Sequence, residues 1–264
     1  MAVYHLGIDA LLSFFDAYVE GSGGHASALN AVMGEELAQA LLCRCIEERF
    51  GGHARVLTVK GKVETPKPGT RLGKRLDCWI ISDPPNEDRT LYQVEIKNWN
   101  AHSYGGSYLS TNADNEQIRQ HRIRLWRKNW DDNLGQFVEE EARKVVLPMP
   151  PPTSFDDDAG AFRLHPPIRR ERIKPLLSFW FPVHPDGLEE ALFFKQFIPG
   201  PVNGFPGVWV FSMSNYLRIK RASGAGDVAV RMPALAQRIA WLSRMFIDPQ
   251  AQEAATHNGP TSDR

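Results

Sequence analysis

The residues best suited to chemistry lie in two short runs, Arg75-Leu76-Asp77-Cys78-Trp79-Ile80-Ile81 and Tyr92-Gln93-Val94-Glu95-Ile96-Lys97-Asn98-Trp99. In each run charge interrupts a stretch that is otherwise apolar, aromatic and β-branched, the composition of a strand. Strand side chains alternate, so Glu95 and Lys97 project from one face together with Gln93, while Val94 and Ile96 pack on the other. If the two strands pair as a hairpin, Asp77 comes to lie beside Glu95. Two carboxylates and an amine sharing one face of a sheet are costly to bury without compensation. A hard divalent cation such as Mg2+ supplies it, because it takes oxygen ligands from one or two carboxylates, keeps several waters and accepts phosphate oxygens. Water on such a cation ionises more readily, and the cation stabilises charge that develops on a phosphate. A neighbouring lysine can orient that water and offset the same charge. An Asp…Glu-x-Lys triple also arises by chance, and the plainer alternative is an edge hairpin with a surface Glu95–Lys97 ion pair.

The elements that must position these side chains are punctuated along the chain. Residues 6–19 read as an apolar helix ended by Gly21-Ser22-Gly23-Gly24, and residues 27–50 as a longer one closed by Gly51-Gly52. Three strand-like runs follow at 55–64, 76–82 and 90–99, separated by turn sequences at 66–69 and 83–86. A Gly/Ser/Asn-rich loop (103–115) leads into a basic helix over 116–130. The proline-rich, acidic stretch 148–167 reads as a surface insertion. Residues 176–183, 192–197 and 208–212 read as strands, and 233–246 as a helix with Pro233 in its first turn. The polar tail 249–264 carries no periodic pattern. Strands in succession after a helix predict an α/β chain with a central mixed β-sheet flanked by helices, not a strictly alternating parallel sheet.

The Asp77, Glu95-x-Lys97 pattern on successive strands after a helix resembles the PD-(D/E)xK nuclease superfamily, whose core is the restriction-endonuclease-like fold. The resemblance covers residues 27–99, and the helix that follows is compatible with it. It implies that Asp77 and Glu95 bind Mg2+ or Mn2+, joined by the backbone carbonyl of Ile96, and that Lys97 serves the attacking water. Leu76 stands where the family often has proline, a departure that does not touch the chemistry. Many members add a glutamate from the first core helix, and Glu35 and Glu36 are the candidates. Ala38, Leu41, Leu42, Cys45 and Ile46 form a stripe at helical spacing, and Glu35 extends it by one turn, whereas Glu36 lines up with Gln39, Cys43 and Glu47. Glu35 is therefore expected at the site. The domain expected on this basis spans 27–248, after an N-terminal helical extension over 1–26 and before a disordered tail at 249–264. The implied activity is hydrolysis of phosphodiester bonds in nucleic acid, DNA in the first instance, leaving 5′-phosphate and 3′-hydroxyl ends. Two alternatives stay open: a nucleic-acid-binding protein that keeps the fold without turnover, and an RNA-directed phosphodiesterase.

Other features are weaker. Residues 116–130 carry Arg119, Arg122, Arg124, Arg127 and Lys128 with Trp126 and Trp130 interleaved, and basic side chains near a phosphodiester site suit backbone binding. Arg119 is the expected phosphate contact. Gln117 and His121 are similar to a Gln-x-x-x-Tyr element of related exonucleases, with histidine in place of tyrosine. Arg75, leading into Asp77, can also approach a nucleic-acid backbone. The Gly69-Thr70-Arg71-Leu72-Gly73-Lys74 stretch lacks the spacing and the Ser/Thr of a phosphate loop. Asp156-Asp157-Asp158 reads as a solvated loop, the histidines show no paired metal spacing, and no Gly-x-Ser-x-Gly elbow is present. Trp180, Trp209 and Trp241 lie in apolar contexts that suit a core. Lysine plus arginine (31) balance aspartate plus glutamate (31) over 264 residues, so any affinity for nucleic acid must be local. Three cysteines without a pairing pattern suit a reducing compartment. Residues 1–18 lack the features of a leader, and no run is long enough to span a bilayer. The expected setting is the cytoplasm, with no membrane partner, and with a homodimer or a larger defence or repair complex as compatible assemblies.

Overall fold

The computed structural model describes residues 3–16, 34–59, 77–85, 87–97, 117, 142, 146, 154–157, 160–164, 168–180 and 190–245. In chain order the elements are β1 (Val3–Gly7), α1 (Ile8–Asp16), α2 (Glu35–Phe50), β2 (His53–Val59), β3 (Cys78–Asp83) and β4 (Thr90–Lys97). They continue with β5 (Ser154–Asp157), β6 (Gly160–Arg163), β7 (Ile173–Phe179), β8 (Leu192–Gln196), β9 (Gly207–Ser212), α3 (Met213–Ala222), β10 (Asp227–Arg231) and α4 (Pro233–Met245). Eight strands form one sheet in the order β6-β5-β2-β3-β4-β7-β9-β8, and β1 and β10 form a separate two-stranded sheet. The strands β2, β3 and β4 run as an antiparallel meander, after which β7 pairs parallel to β4 and β9 parallel to β7. The architecture is mixed α/β, with a central mixed sheet flanked by helices, as the sequence pattern predicts.

Alternation along the central strands divides the interior in two. Cys78, Ile80, Tyr92, Val94 and Ile96 pack in one cluster with Leu37, Leu41 and Ile46 of α2. Trp79, Ile81, Leu91, Leu177 and Phe179 face the other way, where Ala142 and Val146 join them. Burial on both faces explains why these strands are nearly continuous apolar runs. Every polar residue within them therefore needs a reason.

The helix α2 is tied to its neighbours at both ends. At its C-terminal end Gly51 has φ 75° and donates its N–H to the Glu47 carbonyl at 2.9 Å. Gly52 follows with φ 72°, and a Cβ there would lie 2.0 Å from the Asp83 carbonyl oxygen, so the turn into β2 accepts only glycine. In the last turn, Tyr216 of α3 donates its hydroxyl to Glu48 at 3.0 Å, and Lys220 pairs with the same carboxylate at 2.8 Å. At its N-terminal turn Glu36 accepts from the backbone N–H groups of Ala234 (2.8 Å) and Leu235 (3.1 Å), so it caps α4.

Several expectations need correction. The helix predicted over 6–19 begins at Ile8, and the preceding residues form β1, which pairs with β10 from Val3↔Arg231 to Gly7↔Asp227. Pairing with a strand more than two hundred residues away outweighs the local apolar pattern. Ile8 and Leu12 pack in the same core cluster as β3 and β4, so this part of the expected N-terminal extension is built into the fold. The proline-rich stretch contains the β5–β6 hairpin, and β5 extends the main sheet by pairing Thr58↔Asp156 and Val59↔Phe155. Asp156 and Asp157 thus belong to a strand instead of a solvated loop, while Asp158 lies outside the described residues. The sequence reading did not anticipate α3 or β10. The strand expected at 176–183 runs instead from Ile173 to Phe179.

Other expectations agree. The described part of α2, the strands β3, β4, β8 and β9, and α4 with Pro233 at its start lie where the pattern places them. Trp180 is buried and Trp209 packs on the core. The side chain of Trp241, residues 249–264 and most of 116–130 lie outside the described residues. Cys43, Cys45 and Cys78 are unpaired thiols. Among the described residues no helix is long and apolar enough to cross a membrane.

Candidate active site

Strand register builds the centre of the site. β3 and β4 pair Cys78↔Val94, Trp79↔Gln93 and Ile80↔Tyr92, and the next step outward along this ladder brings Asp77 level with Glu95. The pairing does not continue there as a backbone ladder. Instead the Ile96 backbone N–H donates to Asp77 Oδ2 at 2.6 Å. A side-chain oxygen thus takes the place of a main-chain acceptor and pins the Asp77 carboxylate against β4. On the same face Lys97 Nζ stands 2.6 Å from Glu95 Oε1, with each side chain only 15% exposed. Period-two alternation is enough to account for that pair.

The electrostatics match this geometry. Loss of hydration pushes the Asp77 carboxyl above its ordinary value, and the Ile96 N–H pulls it back. The carboxylates of Glu95 and Glu35 push it up again, and Lys97 opposes them. Among the described residues three carboxylates share the field of one lysine, a balance that a divalent cation would correct. Glu35 is exposed, not buried in the apolar stripe of α2, so its expected role as a core-facing residue is corrected even though its charge reaches Asp77. Glu36 is half-buried and committed to α4. Behind Asp77, Cys78 faces α2, and burial pushes its thiol well up, which leaves it a packing residue instead of a nucleophile.

Among the described residues no three His, Cys, Asp or Glu side chains stand close enough to enclose a cation. What the site offers is the carboxylates of Asp77 and Glu95, with the main-chain carbonyl of Ile96 beside them. One or two carboxylates completed by water and substrate oxygens is the donor set Mg2+ prefers, whereas a closed cage suits other ions. A buried polar group supports the fit. Gln93, fully buried on the face of Glu95, has neither its amide nitrogen nor its amide oxygen hydrogen bonded. An amide left so costs about 1–3 kcal/mol. Sequence reasoning placed Gln93 on the correct face without assigning it a task; the available signal was a glutamine inside an otherwise buried strand.

Of the remaining expected site residues, one is described. Gln117 is exposed and helical. Arg119, His121 and Arg75 lie outside the described residues. Comparison with known families, with characterised proteins and with solved structures finds no match.

Proposed function

We propose that the chain is a metal-dependent nuclease of the PD-(D/E)xK type, with a restriction-endonuclease-like core, that hydrolyses phosphodiester bonds of nucleic acid, DNA in the first instance. The observation that carries this reading is the 2.6 Å bond from the Ile96 N–H to Asp77, because it holds a carboxylate beside a Glu-x-Lys pair that is separated from it in sequence. Asp77 and Glu95, with the Ile96 carbonyl, would hold Mg2+ or Mn2+, and Glu35 would add negative charge from the helix side. When bound, the cation supplies an activated water and stabilises charge on the phosphate. Lys97, paired with Glu95 in the protein alone, stands beside that chemistry. It would orient the water and offset charge in the transition state. Arg119, Gln117 and Arg75 are the proposed contacts to the nucleic-acid backbone.

The test is cleavage of circular and linear DNA and of RNA with Mg2+ or Mn2+, comparing wild type with Asp77→Asn. Metal-dependent products that vanish in the variant support the reading. Binding of DNA without cleavage under any divalent metal sinks it. A second reading, a nucleic-acid-binding protein without turnover, draws on the lack of a third close metal ligand among the described residues, and that latter result is the one it expects. Cleavage of RNA alone would establish the RNA-directed phosphodiesterase.

A further inference from the structure

Within the sheet, Gln93 is flanked mostly by apolar groups, and neither of its amide atoms is hydrogen bonded. The register sets Trp79 opposite it on β3 and Pro175 beside it on β7. Its same-face neighbours along β4 are Leu91 and Glu95, and Leu177 lies beside Glu95 on β7. Among the described residues Glu95 is thus the polar side chain next to it along β4, with Asp77, just before β3, level with Glu95. A glutamine amide has two donor hydrogens and an acceptor oxygen, and natural interiors seldom leave all of these unpaired. In the protein alone Glu95 Oε1 is occupied by Lys97. A cation drawing on the Glu95 carboxylate competes with that lysine, and a carboxylate freed from Lys97 needs another group to fix it.

We propose that Gln93 is the positioning residue of this site: its Nε2 donates to the Glu95 carboxylate, and its Oε1 accepts from an ordered water, once Glu95 turns from Lys97 to a divalent cation. This inference rests on the reading of Asp77 and Glu95 as metal carboxylates. It explains both orphaned atoms at once, since a bonded carboxylate takes the donor and a water takes the acceptor. It also gives Lys97 a route to the substrate, because Glu95 no longer depends on it. Groups that orient metal ligands affect metal affinity strongly without touching the metal, typically by 10–100-fold.

The experiment uses the full chain and Mn2+ as the probe, with binding followed by electron paramagnetic resonance and thermal unfolding recorded without metal. Gln93→Met and Gln93→Leu keep the volume and remove the amide. Both are expected to bind Mn2+ about tenfold more weakly or worse. The metal-free proteins should melt about 2–4 °C higher, since an unpartnered amide has been removed. Mn2+ affinity within twofold of wild type overturns the proposal, as does a lower melting temperature or failure of both variants to fold, which would make the amide a structural group. The cleavage assay separates this from the parent reading. Wild-type protein whose Mn2+ affinity depends on Gln93 but which never cleaves leaves the positioning role standing and the nuclease reading lost. Cleavage with variants that bind Mn2+ normally does the reverse. Wild-type protein that binds no Mn2+ removes both.

Discussion

The two ends of the β3–β4 hairpin both carry carboxylates, and they treat them in opposite ways. At the end that faces the β2 turn, Asp83 sits between Arg89 at 2.6 Å and Arg55 at 3.7 Å, one acid against two bases. At the other end Asp77, Glu95 and Glu35 act together against Lys97. The first end is balanced by the chain itself and is part of the scaffold. Among the described residues the second carries more acids than bases, and a main-chain hydrogen bond from Ile96 holds the Asp77 carboxylate in place. Identical residue types on the same two strands thus differ in charge balance, and under the proposed function the acidic end is the one that works.

The comparison can be broken most directly at its acidic end. Asp77→Asn or Glu95→Gln should abolish metal-dependent cleavage, because each removes a charged ligand. Asp77→Asn should also raise the stability of the metal-free protein. The sign follows from the raised pKa. The fold holds the Asp77 proton more tightly than the unfolded chain does, so the Asp77 contribution to stability declines as pH rises from the ordinary value of 3.8 through the raised one. Melting curves across that interval should be flatter for the asparagine variant, and an unchanged slope would show that Asp77 is not desolvated. By the same shift, metal affinity should fall away on acidification sooner than an ordinary aspartate would allow.

Next in size is Lys97. Lys97→Ala should lower the single-turnover cleavage rate by about 10²–10³-fold with little change in DNA affinity, as for loss of one electrostatic stabiliser. Arg119→Ala should do the opposite, weakening binding and reducing its salt slope by about one unit. If both variants lose affinity and rate in equal proportion, the division between transition-state and ground-state roles is wrong.

Two adjacent residues of α2 sharpen the comparison further. Glu35→Ala should reduce cleavage while leaving the melting temperature near wild type. Glu36→Ala should leave the rate unchanged and cost about 1 kcal/mol of stability through loss of the α4 cap, measurable by urea unfolding. The smallest effect belongs to the balanced end. Asp83→Asn should cost no more than about 1 kcal/mol, as for partly exposed ion pairs, with the rate intact. A rate loss there would erase the contrast between the two ends.

The hairpin was legible because its information is local. A strand period of two puts Glu95 and Lys97 on one face, and turn residues bound β3 and β4 closely enough that Asp77 falls opposite Glu95. Gly51 and Pro233 likewise mark helix ends by their own backbone chemistry. What stayed hidden depends on distant partners. Nothing in Val3–Gly7 distinguishes a strand from the start of an apolar helix until β10 is available to pair with it. Ser154–Asp157 is rich in acidic residues that local propensity counts against, yet it adds to the edge of β2. The start of α3 did carry a signal, since Ser212 accepts from the Asn215 N–H at 3.3 Å as an N-cap, but the preceding apolar run masked it. The choice between Glu35 and Glu36 rested on helical phase, and phase alone could not reveal that Glu36 reaches α4.

The first turn of α2 therefore has no freedom to slide. Its successive glutamates differ in their surroundings, one exposed with its charge felt by Asp77 and one bonded to the C-terminal helix, and each residue step on a helix is a rotation of about 100°. Adding or deleting a single residue between Glu36 and the Gly51-Gly52 turn would rotate both glutamates away from their places and detach α4. Length variation during divergence of such a chain should accumulate before Gly34 and be absent between Glu35 and the Gly51-Gly52 turn, where the helix is tethered at both ends.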